Sequence, residues 1–358
     1  MVIFYTDPHL GLSRVANTTP SSSENLRQRI FDHLVNNVLK KQGTKVCAGD
    51  LFDKYSNNEI TILQGVHVAD ATDVILAGNH DLVNQADKMG SLQLIEEMYS
   101  DNDECTIVLP EQFSQPYNRS YFITPSGLDL LLIPHVGSQD LFDLSLENAH
   151  DHAKANRRSG QTTVLVLHCN YDLSPERTTD TTLNLTSDVA KYLLEAYDYI
   201  LLGHEHMPAE HFDGRLIIIG NVFPTGMGDI SDKRILCYHP DGRFESQTIW
   251  EAASGYQEFD HRQVPEATQA NFVRITGEIE AGHMLELTRA VASMWRRSPD
   301  LYCVKLDVTM PGISSSPDTK SVQESLTQLP DLIRKELESN TELLSLWDRM
   351  VEEEKNSA

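Results

Sequence analysis

Residues 45–53 read KVCAGDLFD. The apolar beginning of this segment is typical of a buried strand, and a glycine with two nearby carboxylates, Asp50 and Asp53, follows directly. Glycine allows the chain to turn tightly where a strand ends, so the carboxylates stand at the strand's carboxyl end. Ligand sites of open α/β sheets form at that edge. The segment therefore predicts an α/β fold whose chemistry lies at the ends of its strands.

Four more segments show an apolar strand followed by polar side chains. They are Asp7-Pro-His9, Gly78-Asn79-His80-Asp81, His168 and Gly203-His204-Glu-His206. Alternate side chains of an extended backbone point the same way, so the paired residues of Asp-x-His and of His-x-His are expected to face one cavity. Each motif alone is explained as well by a turn or by a buried structural group. Five motifs in this order favour a single shared site.

The side chains of these motifs are imidazoles, carboxylates and one amide, which are the ligand types of borderline divalent metals. Together they are numerous enough to hold two ions. Two ions roughly 3.5 to 4 Å apart clamp the attacking and leaving oxygens of a phosphoester during hydrolysis. The motifs therefore predict a two-metal phosphoesterase.

The order of apolar and amphipathic segments predicts the domains. In the amino-terminal half, strand-like runs alternate with helical segments such as residues 24–41, an α/β pattern. Beyond Arg215 the segments RLIIIGN, RILCYHP and FESQTIW predict an antiparallel meander, and a β-α-β pattern begins at Asn271. We predict a catalytic core at residues 1–263, a small α+β domain at 264–312, and a linker with C-terminal helices at 313–358.

The C-terminal segment carries an apolar stripe. Residues 311–317, PGISSSP, have linker composition. After them, apolar residues recur at helical spacing at Leu343, Leu346, Trp347, Met350 and Val351. Packing on its own domain and docking on a partner protein are both compatible with this stripe.

Composition bears on the partners and on the compartment. The 358 residues carry a formal net charge of -24, which argues against tight independent binding to nucleic acid. Metals bound by carboxylates would offset part of this charge. Met1–Thr6 shows no signal-peptide pattern, and no apolar run reaches the roughly 18 residues of a membrane span, so a cytoplasmic location is expected. The five cysteines lie far apart in apolar runs and are expected to be reduced core residues.

The complete motif set resembles the calcineurin-like metallophosphoesterase superfamily. Within it, Asp7-Pro-His-Leu-Gly11 and Gly49-Asp-Leu-Phe-Asp53 are similar to motifs of SbcD-type DNA repair nucleases and their phage, archaeal and eukaryotic meiotic-recombination counterparts. Pro8 departs from the bulky residue usual in bacterial members. The resemblance implies an α/β fold: a two-sheet sandwich flanked by helices, with a small α+β cap domain and C-terminal helices.

The resemblance also implies which residues bind metal. The first metal would be held by Asp7, His9 and His206, the second by Asn79, His168 and His204, and Asp50 would bridge both. The expected cofactor is two divalent ions, Mn²⁺ for preference, while iron and zinc are also compatible with these ligand types.

Three further residues take roles from the same resemblance. His80 would be catalytic, by stabilising the transition state or by protonating the leaving oxygen. Asp81, the second catalytic candidate, would orient His80, although a turn-capping role is the alternative. Asp53 would orient a metal ligand without binding metal itself.

The implied activity is that of a DNA exonuclease or endonuclease subunit in an SbcCD-like recombination and repair complex. Its partners would be DNA and an SbcC-like coiled-coil ABC-type ATPase, bound through Leu343, Leu346, Trp347 and Met350. The chain itself would be a homodimer within a heterotetramer, without a membrane partner. A phage-encoded member would act in the host cytoplasm.

Two other functions stay open. One is a phosphodiesterase or phosphatase of the same superfamily that acts on a small or protein substrate. Protein phosphatases carry Asp-Arg-Gly after the second motif and Glu at the end of the third, whereas this chain reads Asp53-Lys-Tyr55 and ends the third motif in Asp81. The other is a non-catalytic scaffold that places an ATPase on DNA, which would leave a complete ligand set without use.

Overall fold

The computed structural model describes residues 1–12, 20–83, 88–100, 105–110, 120–123, 127–158, 160–173 and 183–309, with side chains except at 20–25, 120–123 and 281. The α-helices are α1 (Pro20–Leu34), α2 (Glu59–Ala69), α3 (Ser91–Tyr99), α4 (Gln139–Asn156), α5 (Ser187–Leu193), α6 (Ala252–Gly255) and α7 (Met284–Arg297). A π-helical segment, Val35–Leu39, continues α1.

The strands of the sheets are, in chain order, β1 (Val2–Tyr5), β2 (Thr44–Cys47), β3 (Val74–Leu76), β4 (Thr106–Val108), β5 (Ser120–Ile123), β6 (Asp129–Ile133), β7 (Thr163–His168), β8 (Asn170–Tyr171), β9 (Asn184–Leu185), β10 (Tyr199–Gly203), β11 (Ala209–His211), β12 (Leu216–Ile218), β13 (Lys233–Tyr238), β14 (Phe244–Trp250), β15 (Tyr256–Asp260), β16 (Phe272–Glu278) and β17 (Cys303–Thr309).

Two six-stranded sheets make up most of the described chain. The first has the order β14-β13-β1-β2-β3-β4 and the second the order β11-β12-β10-β7-β6-β5. Strands β1 to β4 are parallel, as are β6, β7, β10 and β12. Parallel neighbours share one direction, so their carboxyl ends lie at the same edge of the sheet.

Side-chain alternation places each sheet between two apolar layers. In β1 all four side chains are fully buried, with Val2 and Phe4 on one face and Ile3 and Tyr5 on the other. Val2 and Phe4 pack in a layer that also contains residues of the second sheet, whereas Ile3 and Tyr5 pack with helical residues. A strand buried on both faces reads as a continuous apolar run, as VIFY does.

Helices cover the outer face of each sheet. α2 and α3 contribute Val68, Leu92 and Ile95 to the core of the first sheet, while α4 and α5 contribute Phe142 and Leu193 to that of the second. Three helices begin at polar side chains that accept a backbone N–H, namely Asn58, Ser138 and Thr186. The predicted two-sheet sandwich flanked by helices is confirmed.

The strands after residue 215 depart from the predicted meander. β12 pairs parallel to β10 in the second sheet, whereas β13 and β14 pair antiparallel in the first. The prediction of one antiparallel meander was therefore wrong. All of β12 is buried, which suits a position among parallel strands, while β14 is mostly exposed and lies at a sheet edge. Residues 219–232 carry the chain from one sheet to the other.

A three-stranded sheet of order β15-β16-β17 follows. It contains the predicted β-α-β unit, with α7 between β16 and β17, and adds β15. Residues 1–276 and 286–307 form one compact unit, and among the remaining described residues 277–285 and 308–309 belong to another. The domain boundaries at 263 and 312 stay predictions, and the C-terminal helices at 313–358 lie outside the described residues.

All five cysteines lie in described segments, and each is buried and free of a disulfide, as predicted. Burial raises the pKa of the Cys105 thiol to about 12, which keeps it protonated and unreactive near neutral pH. Within the described part of the chain, no helix combines the length and the apolar character needed to cross a membrane.

Gly203, the last residue of β10, packs against Thr6 and Ala48, the residues that follow β1 and β2. A methyl group on its Cα would lie 2.3 Å from the carbonyl oxygen of Ala48 and 2.4 Å from Oγ1 of Thr6. We expect Gly203→Ala to lower the free energy of unfolding by roughly 1–3 kcal/mol, the usual cost of overpacking, in urea denaturation. Gly226→Ala is the matched control, because an added methyl meets nothing within 4 Å there. Equal effects of the two changes would contradict this packing argument.

Candidate metal centre

The carboxyl ends of five strands meet at one place, three from the first sheet (β1, β2, β3) and two from the second (β7, β10). Glycines make this approach possible. A Cβ at Gly49 would lie 2.0 Å from Nδ1 of His168, and a Cβ at Gly78 would lie 2.2 Å from Oδ1 of Asp50. Any side chain at these two positions would displace a predicted site residue. The sequence predicted tight turns at the motif glycines, and Gly49 has the left-handed backbone that such a turn can require, with φ of 116°.

Asp7, His9 and His206 form a first cluster. The Nε2 atoms of the two histidines lie 3.0 Å apart, and Oδ1 of Asp7 lies 3.8 Å from the first and 4.0 Å from the second. This oxygen is buried and accepts no hydrogen bond from the described residues. A buried carboxylate oxygen of this kind needs a partner. Two imidazole nitrogens and a carboxylate oxygen that converge in this way fit a divalent cation.

Asn79, His168 and His204 form a second cluster with Asp50. Nε2 of His168 lies 3.2 Å from Oδ1 of Asn79 and 3.3 Å from Oδ2 of Asp50. Nδ1 of His204 lies 2.9 Å from the same oxygen of Asn79. The Nδ1–H group of His168 donates to the carbonyl of Ala48 at 2.9 Å, which leaves Nε2 to face the cluster.

Asp50 acts on both clusters. Besides facing His168, its negative charge raises the pKa of His9, although burial has the larger effect and lowers that pKa to about 4. Its Oδ1 atom accepts the backbone N–H of His80 at 2.8 Å. The carboxylate of Asp50 lies within ligating reach of the same point as His168 and His204, and its bridging role toward the first cluster stays a prediction.

The electrostatic state of the second cluster depends on this carboxylate. Burial would lower the pKa of His168, but Asp50 outweighs it and raises that pKa to about 9. Burial would raise the pKa of Asp50, but the neighbouring histidines hold it well below its usual range. Asp7 and Asp50 also act to raise the pKa of His204, but burial outweighs them and lowers it to about 4. A cation bound beside Asp50 would replace the proton of His168, because a ligating imidazole must be neutral.

Four of the seven predicted ligands have left-handed backbone, with φ of 52° at Asp7, 47° at His9, 49° at Asp50 and 90° at His204. The expectation that Asp-x-His and His-x-His are extended was therefore wrong. Left-handed backbone costs a non-glycine residue about 1–3 kcal/mol and persists where the surroundings impose it. Here hydrogen bonds from Asp7 N–H to the Gly49 carbonyl and from His9 N–H to the Asp50 carbonyl hold the turn.

His80 is held through its ring as well as through its backbone. Its Nδ1–H group donates to the carbonyl oxygen of Asp53 at 2.7 Å. The carboxylate of Asp53 approaches a ligand, with Oδ1 3.9 Å from Nδ1 of His9. Asp53 thus contacts a predicted catalytic residue with its backbone and a predicted metal ligand with its side chain.

Asp81 contacts backbone amides. Its carboxylate accepts the N–H groups of Gly78, Leu51 and Phe52 at 3.0, 3.2 and 3.0 Å. Burial and the charge of Asp50 nevertheless raise its pKa to about 7. These contacts hold the loops after β2 and β3 together, as the turn-capping alternative requires. The contact that orients the His80 ring comes from the carbonyl of Asp53. A catalytic role for Asp81 stays a prediction.

Comparison with known families identifies the family of the chain. Residues 1–208 match the family model of calcineurin-like phosphoesterases. The chain belongs to the calcineurin-like phosphoesterase family. A search of curated proteins finds no match.

Solved structures similar to this phosphoesterase include a putative 5'-nucleotidase from Staphylococcus aureus in complex with alpha-ketoglutarate. That likeness has 12% identity and a TM-score of 0.37, and it covers 70% of this chain and 53% of the other, about half its length. The calcineurin-like phosphoesterase YfkN from Bacillus subtilis is 16% identical, with a TM-score of 0.34, and 70% of this chain and 90% of that one are covered.

Membership of the family makes this chain a metal-dependent phosphoester hydrolase. The side chains fit that chemistry, because the two clusters of buried nitrogen and oxygen atoms are ready to ligate divalent ions. All seven predicted ligands lie in these clusters, and the identity of the ion stays a prediction. The partner-binding candidates Leu343, Leu346, Trp347 and Met350 lie outside the described residues.

Sequence reasoning missed the carboxylate behind His206. Oδ2 of Asp229 lies 3.2 Å from Nδ1 of His206. Burial would lower the pKa of His206, but Asp229 and Asp7 raise it. Asp229 also pairs with Nζ of Lys233 at 2.5 Å, and the Lys233 side chain is fully buried. No motif marks Asp229, and Lys233, which stands between Asp232 and Arg234 at the start of β13, does not read as buried from the sequence.

Two substitutions separate catalysis from metal binding. His80→Ala keeps the backbone N–H that Asp50 accepts, so both metals should remain while turnover of a phosphodiester falls by about 10²- to 10⁴-fold. Asp50→Ala should lower occupancy of both sites, because it removes the shared ligand. Metal content by mass spectrometry and hydrolysis of bis-p-nitrophenyl phosphate would be measured in parallel. Loss of one ion in His80→Ala, or two tightly bound ions in Asp50→Ala, would contradict these roles.

Proposed function

We propose that this chain is the metal-dependent DNA nuclease subunit of an SbcCD-like recombination and repair complex, an exonuclease or endonuclease that hydrolyses DNA phosphodiesters. The seven residues named as metal ligands by the SbcD-type resemblance lie together in two clusters at the strand ends, which supports the proposal. Family membership supports the hydrolysis of a phosphoester. The assignment as a nuclease rests on the SbcD-like form of the first two motifs, residues 7–11 and 49–53.

The residues that make the first two motifs SbcD-like contact one another. The N–H of Leu10 donates to the Leu51 carbonyl at 2.9 Å, and the N–H of Asp53 donates to the Leu10 carbonyl at 3.0 Å. Leu10 and Phe52 form a parallel bridge, and both side chains are buried. This pairing fixes the Asp53 carbonyl that accepts Nδ1–H of His80. The motif extensions thus position the predicted catalytic histidine, and this observation carries the proposal.

The metal ligands, Asp53 and His80 have separate roles in the proposed hydrolysis. Two divalent ions, proposed to be Mn²⁺, would supply water activation and stabilisation of the charge that develops on the phosphoryl oxygens. Six of the seven predicted ligands lie in the segments that follow β1, β2, β3 and β10, and the seventh, His168, is the last residue of β7. His80, with Nδ1–H fixed by Asp53, either donates a proton from Nε2 to the leaving oxygen or stabilises the charge of the transition state.

The acidic composition fits a nuclease that works inside an assembly. A net charge of -24 makes tight binding of duplex DNA by the isolated chain unfavourable. We propose that an SbcC-like coiled-coil ATPase supplies the positive surface for the duplex. The assembly would be a heterotetramer, located in the cytoplasm, with two copies of this chain.

Exposed apolar side chains on α2 and α3 support self-association of the chain. α2 and α3, which pack on each other, expose the large apolar side chains of Ile60, Leu63, Leu94 and Met98. Exposed apolar surface on neighbouring elements is typical of protein interfaces. This surface supports the proposed homodimer.

The choice of substrate tests the proposal. The Mn²⁺-loaded chain should cleave single- or double-stranded DNA, His80→Ala should not, and the monoester p-nitrophenyl phosphate should be turned over far more slowly. Rapid cleavage of the monoester or of a phosphopeptide with intact DNA would favour the small-substrate or phosphatase alternative. A metal-loaded chain that cleaves none of these substrates would favour the scaffold.

The proposed ATPase contact lies in the C-terminal segment, outside the described residues. Burying its apolar side chains, at roughly 1.5–3 kcal/mol each, would stabilise a docked helix. Changing Leu343, Trp347 and Met350 to serine should abolish capture of an SbcC-like ATPase, whereas Asp348→Asn, outside the stripe, should not.

Activity on short single-stranded DNA and the mass measured by light scattering serve as controls for this prediction. The activity should be unchanged in the triple variant and after deletion of residues 318–358. The measured mass should correspond to the same number of chains in each case, allowing for the 41 residues that the deletion removes. Unfolding or loss of the basal activity would show instead that the stripe packs on the catalytic core.

A further inference from the structure

We propose that Asp229, in the segment between β12 and β13, is a positioning residue for the metal ligand His206 and sets the metal affinity of the first cluster. The inference rests on the metal centre of the proposed function and is independent of the DNA substrate.

The His206 ring has a polar neighbour at each of its two nitrogens. Nδ1 faces Oδ2 of Asp229 at 3.2 Å and Oγ1 of Thr225 at 3.3 Å. Nε2, the other ring nitrogen, faces Nε2 of His9 at 3.0 Å in the first cluster. With its proton on Nδ1 and directed at Asp229, the ring presents the Nε2 lone pair to the cluster. A carboxylate behind a ligating imidazole fixes the tautomer and the ring orientation and makes the ligand more basic.

Asp229 is itself held in place by several hydrogen bonds. Nδ2 of Asn221 and the backbone N–H of Thr225 donate to Oδ2 at 2.6 and 2.9 Å. Nζ of Lys233 donates to Oδ1 at 2.5 Å and also to the carbonyl oxygen of His206 at 3.2 Å. The Lys233 side chain is fully buried, so the pair is shielded from solvent on that side. Lys233 thereby fixes the distance between Asp229 and the backbone of the ligand.

The partner of the His206 ring differs in kind from the partners of His168 and His80. His168 and His80 each donate Nδ1–H to a backbone carbonyl, those of Ala48 and Asp53. His206 is held by a charged group. Removal of that charge should therefore weaken the first cluster and leave the second, which contains His168, unaltered.

The segment between β12 and β13 that carries Asp229 is itself anchored. Nδ2 of Asn221 donates to the carbonyl of Phe223 at 2.8 Å as well as to Asp229. The Phe223 ring packs edge-on against Trp250 and Tyr302, with centroids 6.1 Å away in each case. The segment is thus anchored in an apolar cluster on one side and at Lys233 on the other. Its carboxylate is placed by packing, which is what a positioning role requires.

The test is Mn²⁺ binding to the full chain, followed by calorimetry. Asp229→Asn keeps the size of the side chain and removes its charge. We expect it to weaken one of two Mn²⁺ sites by about 10- to 100-fold, the usual cost of losing such a partner, and to leave the other within twofold. Asp232→Asn is the matched control, because Asp232 lies in the same segment and its side chain accepts the N–H of Ala252 instead. The control should bind both ions as the wild type does.

A second variant guards against misfolding, because Asp229→Asn leaves Lys233 buried without its partner. Changing Lys233 to Met together with Asp229→Asn removes both charges, and the same loss of affinity at one site is expected. Unchanged affinity at both sites in both variants, or an equal loss at both sites, would overturn the inference. A wild-type chain that binds no Mn²⁺ would overturn it together with the metal centre. A wild-type chain that binds two ions without cleaving DNA would overturn only the nuclease proposal, and the shift in Asp229→Asn would still support this inference.

Discussion

The structure depends on bringing the carboxyl ends of five strands from two sheets within reach of the same ions. Backbone must pass so close to side chains that Gly49 and Gly78 tolerate no Cβ, since one would fall 2.0 Å from His168 and the other 2.2 Å from Asp50. The same crowding puts ligand residues into left-handed backbone. Asp81 offsets part of this cost by accepting three backbone N–H groups from the loops after β2 and β3. The packing of the two sheets therefore also determines the geometry of the site.

Such a site is costly without cations. It holds Asp7 with a buried oxygen that accepts no hydrogen bond from the described residues, and imidazoles such as His9 and His204 whose pKa burial lowers to about 4. Groups of this kind destabilise a fold until a partner satisfies them. A ligand that binds only the folded chain adds its binding free energy to stability. Metal binding and folding are consequently linked here, and the strain at Asp7 and Asp50 is compensated where the ions bind.

The sequence predicted the motifs at the strand ends because each is local: a short apolar run, a glycine and a polar side chain a few residues apart. What it missed depends on distant parts of the chain. β12 pairs parallel to β10 in the second sheet, where its three residues are buried, and this choice of partner depends on a strand that lies outside its own segment. The left-handed turn at His9 follows from hydrogen bonds to residues after β2. Asp229 reaches His206 across 23 positions in sequence, from 206 to 229, in a segment without a recognisable motif.

The negative charge of the chain does not oppose phosphoester binding at the site itself. Of the seven predicted ligands only Asp7 and Asp50 are carboxylates, and the others are imidazoles or an amide. Two divalent ions would bring four positive charges against these two negative ones, so the ligand set would be net positive. Asp229, the next carboxylate outward from His206, is paired with Lys233 and adds no net charge. Charges more than about 8–10 Å away are largely screened at physiological ionic strength. The net charge of -24 therefore repels mainly those parts of a DNA duplex that lie along the protein surface outside the site. An acidic chain can therefore cleave a phosphodiester that a partner holds in place.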